Sequence, residues 1–484
     1  MKWNKQKIQI VVVVFLSFFI AACGKEEEYV DGVIPVQYTE NLSVLDKMKY
    51  ANSTYAYQGG KVYYRRYHED SYEEAALWGN YDAVPGAKKE IVCIDEDGVE
   101  TVLFDDDGYG NIYLIADRFY MQTMGIDIAE SGKNYIDTML YSVDMQGNDR
   151  IDYGYGDILA IDKELNIVIL KLWEEDKACY YAMNYETGEK KLILSDLDDY
   201  DSIGAYQNGW LYYIKYERRD DIDVSTLCAV STDGEERDII EITSADYDFT
   251  SISLKTICNM EVDKDRIYFV YGGHSGSTNM FDGGKLISIS LDGTDHRAVD
   301  TIEDTFYICH DNGKTLVYFP RYFEWLQEED GYNMLVWDAD ADICYISDFP
   351  PNMLDAYKRS VYDNLSTRGS QDFMNRMILC DVTTYESETE RYRTDIYAIP
   401  DDSGEIVKVV MDIEQFITKW EKEETEYISY DDFYFADGFL YFRVEYKVYD
   451  RETSIGWRDG FRRLHTDVYR LKIGEDKAQI LYSY

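Results

Sequence analysis

Short apolar stretches, four to eight residues long, recur along this chain, each ended by a cluster of Asp, Asn, Gly or Ser. That spacing predicts strands joined by turns rather than helices. One pattern repeats closely: an apolar strand, an acidic turn with glycine, and a second strand. It reads IVCIDEDGVETVLF at 91–104, LYSVDMQGNDRIDY at 140–153, LCAVSTDGEERDII at 227–240 and LISISLDGTDHRAV at 286–299. YYAMNYETGEKKLIL (180–194) and IYAIPDDSGEIVKVV (396–410) carry one extra turn residue. LVWDADADICYIS (335–347) and VYRLKIGEDKAQIL (468–481) are looser copies. The turn glycine is kept in more copies than any carboxylate, which marks a hairpin bend rather than a site.

A second element precedes each hairpin: a turn and then a tyrosine-rich strand. GGKVYYRRY, QNGWLYYIKY, KDRIYFVY and DGFLYFRVEY are clear copies; LNIVILKL and NRMILCDV are looser ones. Gly tolerates positive φ and Asn/Asp bond their own backbone, so these dipeptides are turns with a mechanism. A unit therefore reads strand, turn, Tyr-rich strand, variable loop, strand, Asp-Gly turn, strand. Repetition of four antiparallel strands predicts an all-β fold, a β-propeller. The count gives eight blades, with seven as the alternative because the unit around 377–410 has the least regular inner strands. Two stretches break the strand pattern. MDIEQFITKWEKEE (411–424) places Ile413, Phe416, Ile417 and Trp420 at helical spacing behind Asp412 as N-cap, and NMLDAYKRSVYDNL (352–365) is similar.

The repeats resemble those of uncharacterised bacterial lipoprotein propellers, distant relatives of the TolB-like and low-density-lipoprotein-receptor-type propellers. The resemblance covers about residues 53–484 and implies the fold, not an activity. Long insertions, such as 68–88, 124–137 and 347–375, depart from compact blades.

The N-terminus changes the picture. Lys2, Lys5 and Lys7 precede an apolar run from Ile8 to Ala22, a secretory signal peptide too short to span a membrane comfortably. It ends Ile20-Ala21-Ala22-Cys23-Gly24. This resembles the bacterial lipobox, which implies lipidation of Cys23 and a chain held outside the cytoplasm by acyl chains. The organisation expected is 1–22 signal peptide, 23–52 lipidated N-terminus and linker, and 53–484 propeller.

Charge narrows the partners. The chain has 48 Lys+Arg against 94 Asp+Glu, a formal charge of −46. Phosphate backbones and anionic headgroups are repelled, so no nucleic acid is expected and membrane contact falls to the lipid. Seven cysteines besides Cys23 lie mostly in apolar strand runs without C-x-x-C spacing, the pattern of small buried hydrophobes.

No cofactor is expected. Asp105, Asp107 and Asn111 in FDDDGYGNIYLIADR are the calcium candidate, although the glutamate that an EF-type loop needs is missing. Gly273-His274-Ser275-Gly276-Ser277 lacks the glycine spacing of a nucleophile elbow. Of the 47 tyrosines, most belong to strands. The aromatics Trp78, Tyr81, Tyr109, Trp325, Tyr332 and Trp457 fall outside the strand templates and are candidates for stacking on a sugar or anchoring a peptide. The expectation is a membrane-anchored, extracytoplasmic propeller that binds or scaffolds a protein, peptide or glycan. The alternative is an extracytoplasmic hydrolase or lyase with carboxylates at the channel.

Overall fold

A computed structural model describes residues 33–34, 36–47, 54–68, 88–124, 138–174, 177–195, 202–220, 222–243, 254–274 without 264, 281–301, 306–322 without 312 and 313, 332–347 without 340, 377–418 without 388, 390 and 401–404, 427–449 and 461–484, with residues 197, 246, 353 and 420. Cys23, the second helix-like stretch apart from Met353, and Trp78, Tyr81, Trp325 and Trp457 lie outside them.

The described strands form seven sheets, antiparallel apart from two added edge strands. The largest has seven strands because one long strand, Ile151–Asp162, serves two meanders. Its first half pairs with Thr138–Asp144, and from Gly156 onward it pairs with Ile167–Glu174. Gly156 makes the handover possible. Its φ is +157°, and a Cβ there would stand 1.9 Å from Lys171 O. Divided at that strand, the described meanders begin at Tyr55, Gly108, Gly156, Ser202, Leu254, Tyr307, Met377 and Tyr427, and we number these units one to eight in chain order.

Packing closes the units into a ring. Eight apolar clusters each join a unit to the next: Tyr63 and Ile91 of unit one meet Phe119 and Met121 of unit two, and so on round. The last cluster joins Tyr55, Tyr64 and Val92 of unit one to Tyr434, Phe439 and Tyr441 of unit eight. Side chains alternate across each sheet, so Tyr63 faces unit two while Tyr64 faces unit eight. Both sheet faces are therefore buried. This is why the middle strands read as near-continuous apolar runs, such as IVILKLW, rather than as in–out alternation. The radial ring of antiparallel meanders is a β-propeller.

Among the described residues, the strands of the first and last units stay in their own sheets, and side chains join the two. Tyr55 stacks on Tyr434 at 5.3 Å and Tyr64 on Tyr482 at 5.9 Å. Thr54 Oγ1 donates to the Asp432 carboxylate at 2.8 Å, and Arg470 Nη1 donates to Asp95 O at 2.8 Å. The N-terminal segment adds a belt. Val33–Ile34 pairs in parallel with the outer strand of unit six, Ile343–Ser347, and Gln37–Thr39 with that of unit seven, Glu405–Val410. The 3-10 turn Leu42–Lys47 then buries Leu45 against the cluster of units seven and eight. The stretch expected to be linker is thus partly sheet.

The turn glycines now have a reason. In units one, two, four and five the third and fourth strands are joined by a type I turn followed by a left-handed glycine: Gly98, Gly147, Gly234 and Gly293, at φ +75° to +82°. The residue three before each glycine accepts the turn's N–H and caps the loop with its own side chain. Asp95, Asp144 and Ser231 take the N–H of Val99, Asn148 and Glu235. Unit three has one extra residue, with Asn184 capping and Gly188 at φ +73°.

Among the described residues of 411–424, where a helix was expected, there is one 3-10 turn, Ile413–Gln415, and residues 419 and 421–424 lie outside them. Asp412 sits at φ 55°, makes no capping bond, and instead holds Arg391 and Gln415 through Oδ2. Backbone groups that an α-helix would use are taken by neighbours: Phe416 O accepts from Ala478, and Trp420 N donates to Tyr446 OH. The four apolar positions still pack inward. Cys93, Cys179, Cys228 and Cys380 are buried, and Cys344 is half-buried.

Candidate functional site

Antiparallel meanders alternate their connections between two ends. The first-to-second and third-to-fourth strand turns, including all the hairpins above, fall on one face. The strand ends that lead into the second-to-third and unit-to-unit connections fall on the other, the loop face.

The acidic hairpins serve structure. Asp292 Oδ1 accepts from the Ser290 and Thr294 hydroxyls at 2.5 and 2.6 Å and from Thr294 N at 3.0 Å, which holds its carboxyl down at about 2. Asp295 is spent on Arg266 and Arg297. Each acid in this bend is satisfied by its own hairpin or the next strand.

The calcium candidate does not assemble. Asp105 and Asp107 are exposed, while Asn111 is half-buried in the following strand, Gly108–Ile115. Asp107 lies 3.6 Å from Arg150. Asp106, between them, turns inward. It takes Arg65 Nε and the Tyr141 hydroxyl, both at 2.5 Å; burial of the Tyr141 phenol, then the Asp106 charge, pushes that phenol far up. Among the described residues no three His, Cys, Asp or Glu side chains gather as metal ligands.

Two candidate nucleophiles among the described residues fail on geometry or protonation, and Ser275 and Ser277 lie outside those residues. Ser483 Oγ and His465 Nε2 both bind Asp467 Oδ1, at 2.6 and 2.8 Å, so the serine proton goes to the carboxylate and not to the imidazole. Burial, then the Asp238 carboxylate, pushes the Cys228 thiol up to about 12, far from a reactive thiolate.

The loop face is different. Trp173, next to last in Ile167–Glu174, is 50% exposed. Tyr385 and Tyr392 lie directly opposite each other on Met377–Glu386 and Arg391–Pro400, with rings 5.2 Å apart and exposures of 54% and 65%. Tyr427 opens the neighbouring unit at 51%. All four stand at strand ends on the same face. The tyrosine pair is held by a polar lattice: Arg393 binds Asp395 and Glu386, and Arg391 reaches Asp412 at 2.5 Å. Lys171 Nζ lies 5.0 Å from the Trp173 ring. Of the aromatics singled out by sequence, Tyr109 lies in Gly108–Ile115 and Tyr332 opens Tyr332–Asp338, paired with Tyr322. The exposed four were missed because they belong to strands. The readable signal was two tyrosines flanking ESETER, a spacing that sets them side by side across a hairpin.

The loop face also opens into a cavity of ≈ 30 Å³ at the seam between units one and eight. Arg65, Arg66, Lys89 and Arg443 line it, with Asp432 and Gly110. Arg65 is 7% exposed; its Nη1 donates to Gly110 O at 2.7 Å, and its Nη2 is buried without a partner.

No protein family and no curated protein matches the sequence. Solved structures do resemble the fold at low identity. The propeller domain of the trilobed protease from Pyrococcus furiosus shares 10% identity over 90% of this chain and 98% of its own, with a TM-score of 0.37. An acylaminoacyl peptidase from Pyrococcus horikoshii shares 12% over 75% of this chain, TM-score 0.38, and this chain spans half of it. A TolB-like protein from Agrobacterium tumefaciens shares 10% over 44% of this chain, TM-score 0.25. Likeness this distant transfers no residue and no activity to this chain, which stands as an all-β propeller.

Proposed function

We propose that this chain is a membrane-anchored extracytoplasmic lipoprotein, an eight-bladed propeller whose loop face binds a protein, peptide or glycan. The observation that carries the reading is the set of exposed aromatics on one face: Trp173, Tyr385, Tyr392 and Tyr427. Rings left in water at the ends of an otherwise buried sheet offer stacking area at little entropic cost, and aromatics anchor interfaces. The lipobox and Cys23 supply the anchor. Val33 lies ten positions after Cys23, a reach of at most about 36 Å, so the ring stays near the bilayer. Loss of residues 1–22 removes three lysines and raises the charge to −49, which favours the lipid over headgroup contact as the means of attachment.

The experiment has two arms. Cys23→Ser is expected to abolish incorporation of an alkyne-tagged fatty acid and to release the protein from membranes. Captures from envelope extract and a glycan panel, with the chain from Lys25 onward as bait, are expected to lose a ligand when Trp173→Ala and Tyr385→Ala/Tyr392→Ala are combined. Continued labelling of the serine variant refutes the anchor. Unchanged capture by the aromatic variant refutes the face.

A further inference from the structure

We propose that unit three binds one ring of a neutral sugar at the loop-face end of the central channel. Trp173 is the platform, and Asp157 and Lys171 are the polar partners. The inference rests on the loop face being the binding face and names the ligand class taken there. Asp157 lies near the start of residues 156–162, the strand at the inner edge of unit three, which borders the channel. It stands directly opposite Lys171, and Trp173 follows two residues later on the same side of the sheet. The next pair, Ile158 and Leu170, points the other way, toward unit two. Opposed side chains have Cβ atoms about 4.5–5.5 Å apart and diagonal neighbours lie about 7–8 Å apart, so the three form one patch. The backbone beneath is pinned, because Gln122 Nε2 donates to Gly156 O at 2.9 Å.

Three observations select the ligand. First, Asp157 is exposed and Lys171 half-buried, yet the protein around them weakens the solvation of both. Burial lifts the Asp157 carboxyl above its ordinary range, against the pull of the Ile158 N–H and of Lys171. Burial likewise lowers the Lys171 amine, against Asp157. A carboxylate that water reaches but cannot fully solvate lies on the wall of a recess. Second, among the described residues Asp157 and Lys171 face each other without a hydrogen bond or ion pair between them. Asp157 Oδ1 accepts from Ile158 N at 2.7 Å, and Lys171 Nζ turns to the Trp173 ring, 5.0 Å from its centre. An acceptor and a donor thus stand side by side for a ligand that offers both, as neighbouring hydroxyls do. Third, Trp173 is 50% exposed beside them. Its apolar face suits the C–H face of a pyranose and leaves the polar edge of that sugar to Asp157 and Lys171. A peptide anchor would instead want a desolvated apolar pocket around the ring. A chain of charge −46 repels acidic glycans, which leaves neutral ones.

The test is saturation-transfer NMR on the full mature chain in lipid nanodiscs. The probes are a panel of neutral hexose and N-acetylhexosamine trisaccharides, with trigalacturonate as the acidic control. At least one neutral trisaccharide is expected to bind with a Kd of about 0.1–10 mM, and trigalacturonate to bind at least roughly tenfold more weakly. Trp173→Ala is expected to weaken the neutral sugar roughly three- to tenfold, and Trp173→Phe to restore part of that loss. Asp157→Asn removes the charged acceptor from an exposed position. It is expected to weaken the sugar several-fold with the urea midpoint unchanged, which guards against misfolding. No neutral ligand, a preference for trigalacturonate, or equal binding by Trp173→Ala and the parent overturns the proposal. Envelope capture that depends on the aromatics while no trisaccharide binds refutes the sugar alone. Unchanged envelope capture by the combined aromatic variant, with trisaccharide binding still lost in Trp173→Ala, supports the sugar site and refutes the wider face alone.

Discussion

Replacing Gly293 by alanine tests the hairpin architecture most directly. Gly293 has φ +80°, and a Cβ there would stand 2.3 Å from Ile239 O on the neighbouring unit. Two costs follow. A non-glycine residue in the left-handed region costs about 1–2 kcal/mol. The clash is with backbone of the strand Glu236–Thr243, which cannot rotate away, and overpacking of this kind costs about 1–3 kcal/mol. Gly293→Ala should therefore destabilise by about 2–5 kcal/mol. Gly188 is the control. Its φ is +73°, but nothing lies within 4 Å of a Cβ there, so Gly188→Ala should cost about 1–2 kcal/mol. Urea unfolding followed by tryptophan fluorescence gives the comparison. Native-state hydrogen exchange at the Ser290 and Asn184 amides, which close the two hairpins, localises it. Equal losses for the two variants would show that these glycines serve only φ, and that the hairpins do not brace adjacent units.

Other outcomes follow from the same contacts. Asp292 is held at about 2 by Ser290 and Thr294. Its folded value is depressed, so its contribution is present above the unfolded value of about 3.9 and is lost as pH falls through about 2. A carboxyl titration by NMR should place the midpoint there, and a midpoint near 3.9 refutes the hydrogen-bonded turn. Thr54→Val removes the donor between the first and last units and leaves Asp432 less satisfied. About 1–3 kcal/mol should be lost, read as a lower urea midpoint with little change in slope. Trp173→Ala and Tyr385→Ala should each change stability by less than about 0.5 kcal/mol, since both rings stand in water. A larger loss in either would make that ring structural and remove it from the binding face.

The repeat was legible because hairpins need chemistry at fixed places. Glycine at the left-handed position and a turn former before it can be read without any tertiary contact. The residue that caps the turn, Asp or Ser three before the glycine and Asn four before it in unit three, varies in type, which hid its constancy. The helix over 411–424 was misread because its apolar spacing is real. What the sequence hides is that Phe416 O and Trp420 N are claimed by unit eight. The loop face was the least legible part. Whether a tyrosine is buried between units, like Tyr63, or left in water, like Tyr392, depends on where a strand outruns its neighbours. The seam cavity joins Arg65 to Arg443, nearly the whole chain apart, and no spacing rule connects them.

The belt formed by Val33–Ile34 and Gln37–Thr39 bears on how the protein can be handled. A truncation at residue 53, chosen to remove a lipidated tail, would also uncover the outer edges of Ile343–Ser347 and Glu405–Val410. Open edges of this kind are templates for pairing with another chain. Leu45 would leave the cluster that joins units seven and eight as well. The N-terminal segment therefore serves as an edge guard, and a form that begins after it invites self-association.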